Sequence, residues 1–456
     1  MNKRLIKISV GLLVVLSASV FSCQTTKEER KSVQLITLDP GHFHAALVQK
    51  TMYNDVDSTV HVYAPAGNDL ELHLGRINVY NSRKDNPTHW REEIYKGNDF
   101  FEKMIAEKKG NAVVLSGNNE KKADYILKSL QNGFHVFADK PMAIDTRSFE
   151  QLKQAFDVAQ KNNLVLYDIM TERYEITTIL QRELSMVPEI FGTLERGTVL
   201  DPAVVMKSEH NFYKYVSGSV VVRPGWFMDA SQQGDGIVDV STHLVDLVQW
   251  ESFPEQSLDY TKDATIDSAR HWPTLMTRSQ FKTITKLDSF PSYFNNNKRN
   301  DSTINVWSNG EINYQIKGVH AKVSVVWEYQ TASGNDTHYS LMRGTRANLE
   351  IRQGPEEKYQ PTLYIKPLDK NFDPSKTFKK IQSRYIGVEL KKSGNAWQVI
   401  IPDKYKEGHE QHFAKVTEKF LDYVENKNMP AWEVPNMLTK YFITTKALEI
   451  AQKNKP

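Results

Sequence analysis

At 456 residues the chain is too long for one ordinary hydrophobic core and suits two domains. Lys and Arg number 58 against 55 Asp and Glu, a formal charge of only +3, so no basic stripe argues for nucleic acid. The hydrophobic fraction of 40%, with 20 Tyr, 20 Phe and 8 Trp, fits a soluble globular protein whose aromatics are mostly core; the same aromatics would also suit a carbohydrate-binding surface.

Lys3, Arg4 and Lys7 precede an apolar run over residues 8–21, too short for a comfortable membrane span, and Val20-Phe21-Ser22-Cys23 follows. This stretch resembles a bacterial lipoprotein signal peptide with its lipobox. The resemblance implies that residues 1–22 are removed, that Cys23 is lipidated, and that the polar residues 23–31 tether an exported protein to the cell envelope. A plain secretory signal or a short anchor is the alternative. Cys23 is the one cysteine, so none is left for a disulfide.

From residue 33 the pattern is strand, turn, helix. Residues 33–38 form a buried-strand run, broken at Asp39-Pro40-Gly41, and apolar spacing predicts a helix over 42–53. Further strands are predicted at 58–63, 112–116, 133–138 and 164–167, with helices from about 120 to 131 and over 148–161. Such alternation argues for a parallel, doubly wound sheet with its ligand at the carboxyl ends of the strands. A second helix-centred segment, 234–250, is followed by a stretch over 251–302 read as irregular. Strands then come in quick succession, at 304–307, 311–316, 320–330, 339–343, 348–351, 362–365, 387–390 and 397–401. Ser308-Asn309-Gly310 is read as a turn between antiparallel neighbours. Helices over about 409–424 and 434–453 close the chain.

Two places carry chemistry. The first strand runs into Asp39-Pro40-Gly41-His42-Phe43-His44, with one glycine where a dinucleotide fingerprint has three. Gly41 can still shape a tight turn before a helix N-terminus. His42 and His44 make an H-x-H that is also a metal-ligand pattern, which keeps a metallohydrolase in view. The absence of a later series of His and Asp at strand ends weighs against it, and no bound metal is expected. In the second place a helix starting near Ile237 would put Asp239, His243 and Asp246 on one face, with Gly234 and Gly236 allowing close approach of a ligand. A histidine between carboxylates can work as an acid or base near neutral pH, or be a hydrogen-bonded bystander.

Together these segments resemble the Gfo/Idh/MocA oxidoreductases. The family's Glu-Lys-Pro motif reads Asp139-Lys140-Pro141 here, and its glycine-rich helix reads Gly234-Asp235-Gly236 through Asp239, His243 and Asp246. The resemblance implies an N-terminal Rossmann-like parallel sheet over 32–170. A C-terminal α/β domain with a large, mostly antiparallel open sheet would follow over 171–456. It further implies that Lys140 lies beside nicotinamide and substrate, that Asp239 places the substrate, and that His243 exchanges the hydroxyl proton. Gly41, His42, Phe43, His44, Ser116, Gly117, Asn118, Asp139 and Lys140 would line the cofactor. The chemistry suits these residue types: a carbinol that loses hydride must give up its hydroxyl proton, and an ammonium steadies the developing alkoxide. The second strand ends at Ala64-Pro65 without the acid that reads a ribose 2′-hydroxyl, so Asp69 or Glu71 is left for that task; NAD is favoured and NADP stays open. The implied function is an exported oxidoreductase acting on a hydroxyl of a sugar or glycoside with a tightly held cofactor. NAD-assisted glycoside cleavage on the same site, and an inactive sugar-binding lipoprotein, are the alternatives. A homo-oligomer through the open sheet is a further expectation.

Overall fold

The computed structural model of the protein describes residues 32–216 and 219–454; the expected signal sequence, tether and Cys23 lie outside them. The first sheet has six parallel strands, β1 (Leu35–Leu38), β2 (Thr59–Ala64), β3 (Arg91–Lys96), β4 (Ala112–Leu115), β5 (His135–Asp139) and β6 (Leu166–Ile169). Their spatial order is β3-β2-β1-β4-β5-β6. The order reverses between β1 and β4, and the crevice at a reversal of this kind is where a doubly wound sheet takes its ligand. β1, β4 and β6 are buried along their whole length, which is why they read as unbroken apolar runs.

Three elements of this sheet escape the sequence pattern. The helix Asn68–Ser82, strand β3 and the helix Phe100–Glu107 fill the stretch between β2 and β4. β3 reads Arg-Glu-Glu-Ile-Tyr-Lys because it is the edge strand and mostly exposed. The helix expected over 42–53 is a single turn, His44–Leu47. The chain is recaptured soon after it: Val33 N–H donates to Asp55 O and Asp57 N–H to Val33 O, at 3.0 and 2.9 Å, so residues 55–57 already line up for β2.

The second sheet has ten strands and is antiparallel except where Val319–Glu328 runs parallel to Val204–Asn211. The expectation of an irregular 251–302 is overturned. It holds a 14-residue strand, Ala264–Thr277, and the helix Arg278–Thr285, closed by a Thr277/Gln280 capping box. That strand hides from pattern reading because it lies at the sheet's edge, buries few side chains and contains Pro273. Ser308-Asn309-Gly310 is no turn but the middle of the strand Thr303–Ile316. The pairing of this strand with Ala264–Thr277 shifts between Trp272 and Thr274. Asn309 mends the break with its side chain: Nδ2 donates to Trp272 O at 3.0 Å, and Oδ1 accepts from Trp327 N–H at 2.6 Å.

The last two helices tie the sheets together. Phe413, Val416, Phe420 and Tyr423 of His409–Asn426 belong to the core under the first sheet, where Phe420 stacks on Phe137 at 4.6 Å. Glu433–Lys453 packs against Ala264–Thr277, Ser241–Ser252 and Thr146–Lys161, so it is buried on several faces and has no clean polar side. Among the described residues no helix is long and apolar enough to cross a membrane.

Candidate active site

Lys140 follows the carboxyl end of β5, and its Nζ lies 2.6 Å from Asp239 Oδ1; the two side chains are 11% and 8% exposed. Asp239 arrives from the segment before the helix Ser241–Ser252, because the helix starts four residues later than the sequence suggests. Residues 236–240 form a turn instead, and their amides are engaged: Gly236 N–H on Trp307 O at 3.0 Å, Ile237 N–H on Asp235 Oδ1 at 3.0 Å. The local packing itself calls for both glycines. Gly234 has φ 102°, and a Cβ on Gly236 would stand 2.1 Å from Ser308 O.

His243 lies on the first turn of that helix. Its Nδ1 is buried with no hydrogen-bond partner. Burial, then the Lys140 ammonium, hold its pKa well below the ordinary histidine value, so the ring is neutral. Asp246 does not flank it as expected. Its carboxylate turns to Arg173, with Oδ2 2.6 Å from Nε, and to Lys440, with Oδ1 2.7 Å from Nζ. Against the cost of burial, these two cations hold it ionised.

His243 opens into a cavity of about 210 Å³ together with Glu172, Ser208, His210, Asp336 and His338. Burial, with the neighbouring Glu175 carboxylate second, pushes Glu172 up to about 7. Asp336 is gripped by Lys214 Nζ at 2.6 Å and lies 3.5 Å from His210 Nδ1. Val240, Leu244, Leu247 and Pro361 share the lining with these polar groups. None of these partners of His243 is marked in the sequence by a motif. Only Glu172 carried a signal, its position just beyond the end of the last parallel strand.

The remaining predicted residues gather around the first turn. His42 Nδ1 and His44 Nδ1 stand 3.4 and 3.0 Å from Asp139 Oδ2, and Ser116 Oγ donates to the same oxygen at 2.8 Å. Burial lowers both histidines, His44 to about 4. Phe43 packs edge-on to His44. Gly117 has to be glycine, since a Cβ would come 2.3 Å from Asp39 O. Asn118 Nδ2 donates to Gln232 Oε1 at 2.8 Å, a link to the second half of the chain.

A nicotinamide dinucleotide fits one end of this crevice better than the other. At one end His243 lines the cavity, and the Lys140 ammonium beside it is paired, among the described residues, only with Asp239. At the other, the amides of Gly41 and His42 both donate to Ser116 O at 3.2 Å and are not free for a diphosphate. Trp226 covers Gly41 and donates its indole N–H to Asp69 Oδ2 at 2.8 Å. The thin glycine signature thus has a structural counterpart.

Residues 41–168 match the family described as “Oxidoreductase family, NAD-binding Rossmann fold” and residues 180–452 the one described as “Putative oxidoreductase C terminal domain”. The chain belongs to the Gfo/Idh/MocA oxidoreductases. A crystal structure of a putative oxidoreductase from Parabacteroides merdae is 50% identical, superimposes with a TM-score of 0.91, and covers 93% of this chain and 99% of its own. More distant structures share the fold. Levoglucosan dehydrogenase, in complex with NADH and levoglucosan, is 11% identical with a TM-score of 0.59, covering 92% of this chain and 98% of its own. A 3-ketoreductase from Actinomadura kijaniata, in complex with NADP and TDP-benzene, is 14% identical with a TM-score of 0.54, covering 90% and 95%. No curated protein matches the chain.

Proposed function

We propose that this oxidoreductase moves a hydride between a nicotinamide cofactor and a ring hydroxyl of a sugar or glycoside. The observation that carries the reading is the Lys140–Asp239 pair just past the end of β5, close enough to a neutral His243 for the ammonium to act on its ring, with His243 itself lining a cavity. His243 accepts the hydroxyl proton as the carbon loses hydride. Lys140, held by Asp239, steadies the oxygen that carries the growing negative charge. Glu172, His210, Asp336 and His338 supply the hydrogen bonds that fix a sugar's hydroxyls. When bound, the cofactor supplies the hydride acceptor; Gly41, His42, Phe43, His44, Ser116, Gly117, Asn118, Asp139 and Lys140 line the crevice that holds it, with NAD favoured over NADP.

The chain's N-terminal stretch supports export and anchoring to the cell envelope through Cys23. Free nicotinamide is scarce there, so the cofactor stays bound through the cycle. One observation favours a second reading, glycoside cleavage by oxidation and elimination: Glu172, raised to about 7, is a second group in the cavity able to exchange protons near neutrality. Denaturing the purified protein and measuring released nicotinamide tests the cofactor; folded protein that carries none and binds none by calorimetry would end both readings. A panel of glucosides and free sugars then separates oxidation from cleavage by the products formed.

A further inference from the structure

We propose that His42, His44 and Asp139 form a site for one divalent transition-metal ion of zinc's class, bound through the two Nδ1 atoms and the carboxylate. The donor atoms of the three residues lie within 4.8 Å of one another. The two histidine-to-carboxylate separations, 3.4 and 3.0 Å, resemble the edge of a tetrahedron around a zinc ion with bonds of about 2.0–2.1 Å, which is roughly 3.3 Å.

Hydrogen bonding alone accounts poorly for the arrangement. The backbone N–H of His44 points at His42 Nδ1 from 3.4 Å, so that nitrogen presents a lone pair, and its contact with Asp139 Oδ2 sets lone pair against lone pair. A cation between them turns repulsion into ligation. Two histidines and the Ser116 hydroxyl all crowd Oδ2, while Oδ1 of this nearly fully buried aspartate has no partner. Ser116 stands as an outer-shell donor to a ligating carboxylate commonly does. The buried Lys122 ammonium binds the Asp139 carbonyl, at 2.9 Å, and leaves the carboxylate's charge to the site. Two imidazoles and one carboxylate leave a fourth position for water or a ligand oxygen. The metal site shares His42, His44 and Asp139 with the crevice proposed for the cofactor, and its test reads metal binding alone, so it stands or falls apart from that reading.

The test is metal content and affinity. Mature protein purified without nickel resin or chelator should carry close to one equivalent of metal by mass spectrometry. After chelation it should take up one equivalent of Zn²⁺ by calorimetry, and Co²⁺ should show the visible bands of a tetrahedral site. His42→Ala and His44→Ala should each weaken Zn²⁺ binding by roughly 100-fold or more, with circular dichroism showing a native fold; Asp139→Asn is the reserve if either variant fails to fold. Folded wild type that takes up no stoichiometric Zn²⁺ or Co²⁺ overturns the proposal, and so does a double histidine variant that binds Zn²⁺ as wild type does.

Discussion

The helix Ser241–Ser252 carries two charged constellations that look alike in sequence and do opposite work. At its start, His243 faces a cavity with Nδ1 unpartnered, beside the Lys140–Asp239 pair. One turn on, Asp246 is locked between Arg173 and Lys440. Arg173 in turn grips Glu433, with 3.1 Å from Nη1 to Oε2, and Lys440 Nζ is 2.7 Å from Asp168 Oδ2. The second cluster joins β6, the turn after it, this helix and the C-terminal helix. The difference teaches that burial of an ionised group is tolerated where every charge has a partner.

The contrast breaks most visibly at Lys440, whose side chain is fully buried. Lys440→Met takes from Asp168 the only cation paired with it among the described residues, leaving it the Tyr441 hydroxyl, and leaves Asp246 to Arg173 alone; it should cost about 3–5 kcal/mol in chemical denaturation. A loss under about 1 kcal/mol would show that the network is solvated and not a tie between β6 and the helices. At the cavity end, His243→Ala should lower kcat by roughly 10²–10⁴-fold, the worth of a positioned general base. Thermal melts and cofactor content should stay close to wild type. A variant that melts lower yet turns over normally per folded molecule would move His243 to the structural side of the comparison.

How far each constellation could be read from the sequence follows from what its residues touch. β1, β4 and β6 were legible because both faces of a central parallel strand are buried. β3 and the strand Ala264–Thr277 were not, because edge strands keep their charges and tolerate Pro273. Lys140, Asp239 and His243 were marked by local motifs and do converge. Asp246 belonged to the same motif but turns to Arg173 and Lys440, partners 73 and 194 residues away in sequence, which no local spacing encodes. The same distance hides His210, Asp336 and His338, which only the packing of helix on sheet brings to His243.

A smaller effect is expected at Asn309, which bridges the register break under the Gly236 turn. Asn309→Ala leaves the Trp327 N–H and the Trp272 carbonyl without this partner and should cost about 1–3 kcal/mol. Because Gly236 rests on Ser308, the variant should also soften the placing of Asp239, visible as a raised KM. Unchanged stability would mean that the ladder closes without the side chain.

The smallest expected effect lies far from both clusters, at Glu92 on β3, and it isolates the cost of a buried carboxyl that has only half its hydrogen bonds. Gln49 Nε2 donates to Oε1 at 2.6 Å, whereas Oε2 is buried without a partner. Burial pushes the group up to about 7 from an ordinary 4.5. A carboxyl whose pKa is higher folded than unfolded contributes its full share below the unfolded value, and loses it as pH rises through the folded one. Stability from this group therefore declines between about pH 4.5 and 7 and is flat above. Glu92→Gln removes the titration, so variant and wild type should melt alike near pH 4.5. At pH 8 the variant should be more stable by about 1 kcal/mol, the full linkage being discounted for screening at the sheet edge. The measurement is the difference between the two melting curves at each pH, since Glu172 titrates in the same window in both proteins and cancels. A gap that is constant across this range would show that Glu92 ionises as freely in the folded protein as in the unfolded chain.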